Sequence, residues 1–172
     1  VMSGEVPEGW GRVTVGDVCR PKQWPTISKS HFTETGYPVY GANGQIGWFD
    51  RYTHDRETIA ITCRGATCGT VNLVPAFSYI TGNAMALDDV RSDQVSQAYF
   101  YQALRCFGVK DSISGSAQPQ ITRGSISKIS LPLPPLPEQQ KIAEILTSVD
   151  DAIQATEAVI AQTKKVKQGV MN

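Results

Sequence analysis

Two acidic pairs, two histidines and four cysteines are the residues of this chain that could work as catalysts or metal ligands, and their spacing argues against both roles. Asp88-Asp89 and Asp150-Asp151 are adjacent pairs. Neighbours in a strand or helix point apart, so neither pair converges on one atom, and both read as solvated faces. His31 and His54 read as surface or loop residues rather than bases. Cys19, Cys63, Cys68 and Cys106 include no zinc-type CxxC pair and read as structural free thiols of a reducing compartment. The run GANGQIG at 41–47 lacks the strand–helix context and full spacing of a dinucleotide loop, and no GxxxxGK followed by Ser or Thr occurs. The chain reads as non-enzymatic.

Composition sets the frame for these residues. The 172 residues carry 16 Lys+Arg against 16 Asp+Glu. Residues 1–130 hold 12 against 11 and the remainder 4 against 5, so there is no global basic signature. Any face for a polyanion must come from segregation of charge on the surface. No apolar run approaches the ~18 residues of a membrane span, and the start lacks a charged region followed by an apolar stretch; a soluble, cytoplasmic protein is expected. Val1 ahead of Met2 reads as a processing or cloning scar. The natural division is a domain over 1–130, a proline-rich connector over 131–137 and a helix over 138–172.

Strand and turn signals dominate the domain. Strands are expected at 13–15, 39–40, 45–49, 58–63, 70–74, 77–81 and 125–130, with a turn of helix starting at Gly16-Asp17. Gly41-Ala42-Asn43-Gly44 joins two of them as a hairpin turn. Residues 94–107 have helical spacing through Val95, Ala98, Tyr99, Gln102, Leu104 and Phe107. The mixed order predicts an α+β fold with a mixed, twisted sheet and one internal helix, followed by the long C-terminal helix.

Pro132, Pro134, Pro135 and Pro137 make a stiff, extended connector, and Pro137 with Glu138 suits the first turn of a helix. The helix repeats its apolar residues every seven positions. Ile142, Val149, Thr156, Thr163 and Val170 form one row, and Ile145, Ala152, Val159 and Val166 its partner. Leu146, Ile153 and Ile160 add a third row that widens the stripe. Roughly 32 residues span about 48 Å, longer than a domain of this size needs for its own core. The plain alternative is a helix folded back onto its own domain. The stripe favours a dimer arm, with Ile142, Ile145, Leu146, Val149, Ile153, Val159, Ile160 and Val166 as the interface.

LPLPPLPEQQKIAEIL at 131–146, running into a long helix, resembles the conserved segment of specificity subunits in type I restriction-modification enzymes. PEGWGRVTVGDVC at 7–19 is similar to that family's domain opening, and YPVYGANGQIGWFD at 37–50 to its first glycine-rich motif. TIAITCRGATCGTVNLVPAFSYITGNAMAL at 58–87 resembles its central strands, and GSAQPQITRGSISKISLPLPPLPEQ at 115–139 its closing segment. A typical specificity subunit holds two target-recognition domains and two helices; this chain has one of each, a half-length form.

The resemblance implies a non-catalytic, DNA-reading subunit that dimerises through its helix to read a bipartite palindromic site. Its implied partners are double-stranded DNA, a modification subunit and a restriction subunit. S-adenosylmethionine, ATP and Mg would belong to those subunits, with no cofactor in this chain. Base readout needs paired donors and acceptors on loops. The candidates are Gln23, Lys29, Ser30, Asn43, Gln45, Arg64, Thr67, Lys110, Gln118, Gln120 and Arg123. Asn43 before a glycine reads equally as a turn former, Arg64 as the partner of a nearby acid, and Gln118 and Gln120 as backbone ligands around Pro119. An assembly or anti-restriction module that uses the same helix without reading DNA is the alternative.

Overall fold

The computed structural model describes residues 6–170 except 43, 108, 116 and 117. Thr58–Thr62 (β5) is the strand on which the rest is built, buried along its whole length. Its β-branched residues Ile59 and Ile61 enter the larger core, with Met85, Leu87, Phe100, Leu104 and Ile126. The intervening Ala60 faces a second cluster with Val74, Ile80, Ala84 and Ala86. Large side chains on one face and alanines on the other let a second layer approach closely on the alanine side.

β5 lies in a four-stranded antiparallel sheet ordered β2 (Arg20–Gln23), β8 (Ala84–Asp88), β5, β6 (Val71–Val74). A three-stranded sheet, β4 (Gly44–Phe49), β3 (Tyr37–Gly41), β7 (Tyr79–Ile80), holds the expected hairpin plus a parallel β3–β7 pairing. A two-stranded sheet pairs β1 (Gly11–Thr14) with β9 (Ser130–Leu133). The helices are α1 (Val15–Val18), α2 (Gln97–Cys106), α3 (Arg123–Ser127) and α4 (Leu136–Val170).

Several expectations shift. The segment 125–130 is not a strand: Thr122 accepts from the Ser125 amide at 3.1 Å, and the Ser125 hydroxyl accepts from the Thr122 amide at 3.1 Å. This reciprocal cap starts α3 and moves the strand to Ser130–Leu133. The first three residues of the proline connector are therefore strand, tolerated because a two-stranded ribbon has only edges. Within 77–81 the strand is confined to Tyr79–Ile80, with Ser78 in an isolated bridge to His54, since Phe77 sits at φ 57, outside the strand region. Val15 begins α1 instead of ending β1. Internal helix is supplied by α1, α2 and α3 rather than by one element. Two strands not foreseen, β2 and β8, pair with each other.

α4 begins one residue before Pro137, with the Pro135 carbonyl accepting from the Glu138 and Gln139 amides at 2.9 and 3.0 Å. Gln139 and Ala143 are buried against the domain, whereas Ile145, Val149, Ile153, Val159, Ile160 and Val166 are exposed. Among the described residues no helix is long and apolar enough to cross a membrane.

Candidate nucleic-acid interface

Three loops meet at the end of the molecule where β5 finishes. The β3–β4 tip is held by its Ala42 carbonyl, which accepts from Thr67 Oγ1 at 2.6 Å and Thr62 Oγ1 at 3.1 Å. The loop after β5 turns on Gly65 and Gly69, at φ 83 and 90, where a side chain would strain the backbone. It closes with Cys68 N to Gly65 O at 3.0 Å and Gly69 N to Thr62 O at 2.8 Å. The third loop folds on itself, Ser114 and Gln120 exchanging backbone hydrogen bonds at 2.9 Å each, and docks through Ile121 N to Cys63 O at 3.0 Å. Gln120 also bridges to Arg64 through the backbone. The fold therefore gathers Arg64, Thr67 and Gln120 around the hairpin tip, with Gln45 exposed on the first residues of β4.

The other candidates fare differently. The Gln23 amide donates to Gly82 O at 2.8 Å and faces Cys63 Sγ at 3.1 Å, so it ties β2 to the β7–β8 turn. Thr67 likewise spends its hydroxyl on Ala42. Lys110 lines a cleft with Cys68, Gly69 and Thr70 beside this end. Gln118 and Arg123 are exposed on either side of the third loop's anchor. Lys29 and Ser30 form a 3-10 turn, and among the described residues no hydrogen bond or ion pair joins them to the cluster. Asn43 lies outside the described residues. No acid pairs with Arg64 among the described residues, so its guanidinium faces solvent at this end.

α4 shares this polarity. Gln139 sits at the start of α2 and Asp150 at its end, so the two helices run parallel. The end of α2 lines the cleft with the 68–70 loop, so the arm heads toward the loop cluster. The residues that anchor α4, Gln139 and Asp150, lay outside the sequence-based candidates.

The opposite end is occupied by structural polar groups. His54 is not a loose surface residue: its Nε2 lies 3.0 Å from Asp88 Oδ1, and its Nδ1 lies 2.7 Å from Thr53 Oγ1. The Trp24 indole donates to Asp88 Oδ2 at 3.1 Å. Thr53 Oγ1 also accepts from the Ile80 amide at 3.0 Å, which occupies the hydroxyl that a nucleophile would need free. Asp88 is thus a partly buried acceptor rather than half of a solvated pair. All four cysteines are free, and burial pushes the Cys19 thiol up to about 12, an inert state.

Similarity to known proteins converges on one family. The chain is 28% identical over 144 residues to the type I restriction enzyme EcoprrI specificity subunit of Escherichia coli, covering 81% of this chain and 35% of that protein. It is 29% identical over 185 residues to the putative type I restriction enzyme MjaX specificity subunit of Methanocaldococcus jannaschii, covering 98% and 43%. The chain thus spans less than half the length of these relatives. In fold it resembles the type I restriction-modification S subunit from M. genitalium, with TM-score 0.75, 20% identity, and coverage of 91% of this chain and 43% of that one. The HsdS subunit from Thermoanaerobacter tengcongensis gives TM-score 0.66 at 22% identity, covering 90% and 41%. Residues 7–165 match the family model of the type I restriction modification DNA specificity domain, and the chain belongs to that family.

Proposed function

We propose that this chain is a non-catalytic DNA target-recognition unit of a type I restriction-modification complex, and that two copies associate through α4 to read a bipartite palindromic site. The observation that carries the reading is the uncovered apolar row on an arm that leaves the domain toward its loop end. Ile145, Val149, Ile153 and Ile160 are exposed there by 63%, 50%, 51% and 48%. A row of that length is expected to be covered by another helix. Association by a two-fold axis places identical recognition domains at the two ends, so both half-sites have the same sequence in inverted orientation. Arg64, Gln120, Gln45, Arg123 and Lys110 supply the reading and phosphate contacts; Gln23 and Thr67 hold the loops in place. Methyl transfer and cleavage, with S-adenosylmethionine, ATP and Mg, belong to separate modification and restriction subunits that this unit recruits.

The test is to reconstitute the chain with a type I modification subunit and map methylated sites by single-molecule sequencing. Two inverted copies of one half-site at a fixed gap are expected. Methylation without sequence preference would overturn the reading.

A further inference from the structure

The polar groups by which α4 docks on the domain lie beside its free apolar row, on one rigid helix. Gln139, Ala143 and Asp150 follow i, i+4, i+11 spacing and form one line toward the domain, with Ile142 packed on the core beside it. Ile145, Val149, Ile153 and Ile160 lie roughly 60–140° round the helix from that line. Whatever fixes the docking line therefore fixes the direction in which the free row is presented.

Two polar anchors, three turns apart, do the fixing. Gln139 is fully buried and uses both ends of its amide. Its Oε1 accepts from the Ser96 amide at 2.8 Å, and its Nε2 donates to Gln94 O at 3.0 Å and Pro134 O at 2.9 Å. One side chain thus joins the entry to α2, the proline segment and α4. The second anchor is a triad. Asp150 accepts from Gln102 Nε2 at 3.0 Å and pairs directly with Arg105, while Arg105 Nη1 donates back to Gln102 Oε1 at 3.1 Å. Arg105 is itself held over the Tyr101 ring at 5.3 Å. Such reciprocal pairs leave little freedom of rotation or sliding. A single contact point would allow pivoting; two separated by about 16 Å oppose it.

We infer that Gln139 and the Arg105–Gln102–Asp150 triad are positioning residues that set the spacing of the half-sites, by clamping α4 to α2 at one angle. This rests on the two-copy reading above. The arm continues about 30 Å beyond Asp150. A pivot of about 10° at that point would move its tip by about 5 Å, roughly one and a half base-pair steps. Helix length alone cannot hold a gap to a single base pair; the clamp can.

The inference is tested in the full chain by two measurements. The first needs no DNA. Spin labels at Lys128→Cys and Lys167→Cys, in a Cys68→Ser/Cys106→Ser background diluted with unlabelled chain, report the angle of the arm within one copy. A narrow distance distribution is expected for the parent. Arg105→Ala should at least double its width, and the charge swap Arg105→Asp/Asp150→Arg should restore it. An unchanged width in Arg105→Ala would overturn the clamp. The second maps methylated sites with the modification subunit present. The parent should hold one gap, and Arg105→Ala should spread to neighbouring gaps of one to two base pairs with the half-site sequence unchanged. A single gap retained by a loosened arm would overturn the assignment of spacing to the clamp. Should the arm respond but no variant, nor the parent, show any sequence preference, the recognition reading would fall and the spacing assignment with it, leaving only the mechanical clamp.

Discussion

The Thr67 hydroxyl donates to the carbonyl of Ala42 at 2.6 Å, pinning the β3–β4 tip to the loop that carries Arg64. Thr62 donates to the same carbonyl at 3.1 Å, so removing one hydroxyl does not orphan the acceptor. Thr67→Val should therefore cost only about 1 kcal/mol of stability, the ordinary worth of one hydrogen bond. Its larger effect should fall on DNA: the tip is freed relative to the Arg64 loop, and half-site discrimination should drop while the melting temperature moves by roughly 2–4 °C. Calorimetry paired with sequence-selection binding checks the split.

Asp88 separates a structural from a catalytic account of the His54 network. It accepts from both the Trp24 indole and the His54 ring, and its side chain is 15% exposed. Asp88→Ala strands two donors and should cost about 2–4 kcal/mol, whereas Asp88→Asn keeps one acceptor and should cost less. Because this network lies at the far end from the loop cluster, neither variant should change which DNA sequence is preferred. Denaturant titration and selection assays decide; altered preference would show that this end belongs to the interface.

Acid should loosen the base of the arm. Hydrogen bonds from Arg105 and Gln102 hold the Asp150 carboxyl below the usual carboxylate value. The Thr14 hydroxyl and amide do the same for Asp17. A carboxylate with a depressed folded value contributes stability above its unfolded value, about 3.9, and loses it as pH falls through the folded one. Hydrogen exchange over 139–150 should therefore stay slow down to about pH 4 and accelerate below it, and Asp150→Asn should show the fast rate already at neutral pH.

What the residues announced and what they hid follow from where the stabilising partners lie. TIAIT reads as a buried strand because its own side chains are apolar and β-branched. The hairpin is visible in its glycines and the arm in its heptads. β2, with sequence RPKQ, has no apolar alternation and exists only because β8 offers it a ladder. α3 was hidden because the β-branched Ile126 and Ile129 suggest a strand, while the decisive signals are their i, i+3 spacing and the Thr122–Ser125 cap. Asp150 reads as solvated from its neighbour Asp151, yet Arg105, which binds it, lies 45 residues earlier. Gln139 looks like an ordinary exposed helix residue, since nothing local shows that Ser96 and Gln94 come to meet it. Among the reading candidates, loop placement was legible for Arg64 and Gln120, whereas the intramolecular bonds of Gln23 and Thr67 were not.

Association through α4 is separable from folding. Ile153 is 51% exposed in a single copy, so Ile153→Asp costs the isolated chain little. In a helix pair it buries an unpaired charge and should weaken assembly by several kcal/mol. Light scattering at micromolar concentration should give a dimer for the parent and a monomer for the variant, with unchanged far-UV circular dichroism. A parent that is monomeric without any partner subunit would end the self-pairing account.

The length of the arm should be readable in the DNA. Deleting one heptad, residues 156–162, preserves the seven-residue register, so the apolar row stays continuous and the pair can still form. In an antiparallel pair each residue meets a partner whose number sums with its own to a constant. Removing seven residues from both copies lowers that constant by seven, which brings the two domains closer by about 10 Å. At 3.4 Å per step the preferred gap should contract by about three base pairs. The half-sites themselves should not change, because the deletion begins beyond Asp150 and leaves both anchors and all three loops intact. Methylome mapping of the deletion variant gives the gap directly. A gap of unchanged length would mean that the domains are held apart by something other than this helix, and asymmetric half-sites would mean that a second, different recognition domain joins the complex.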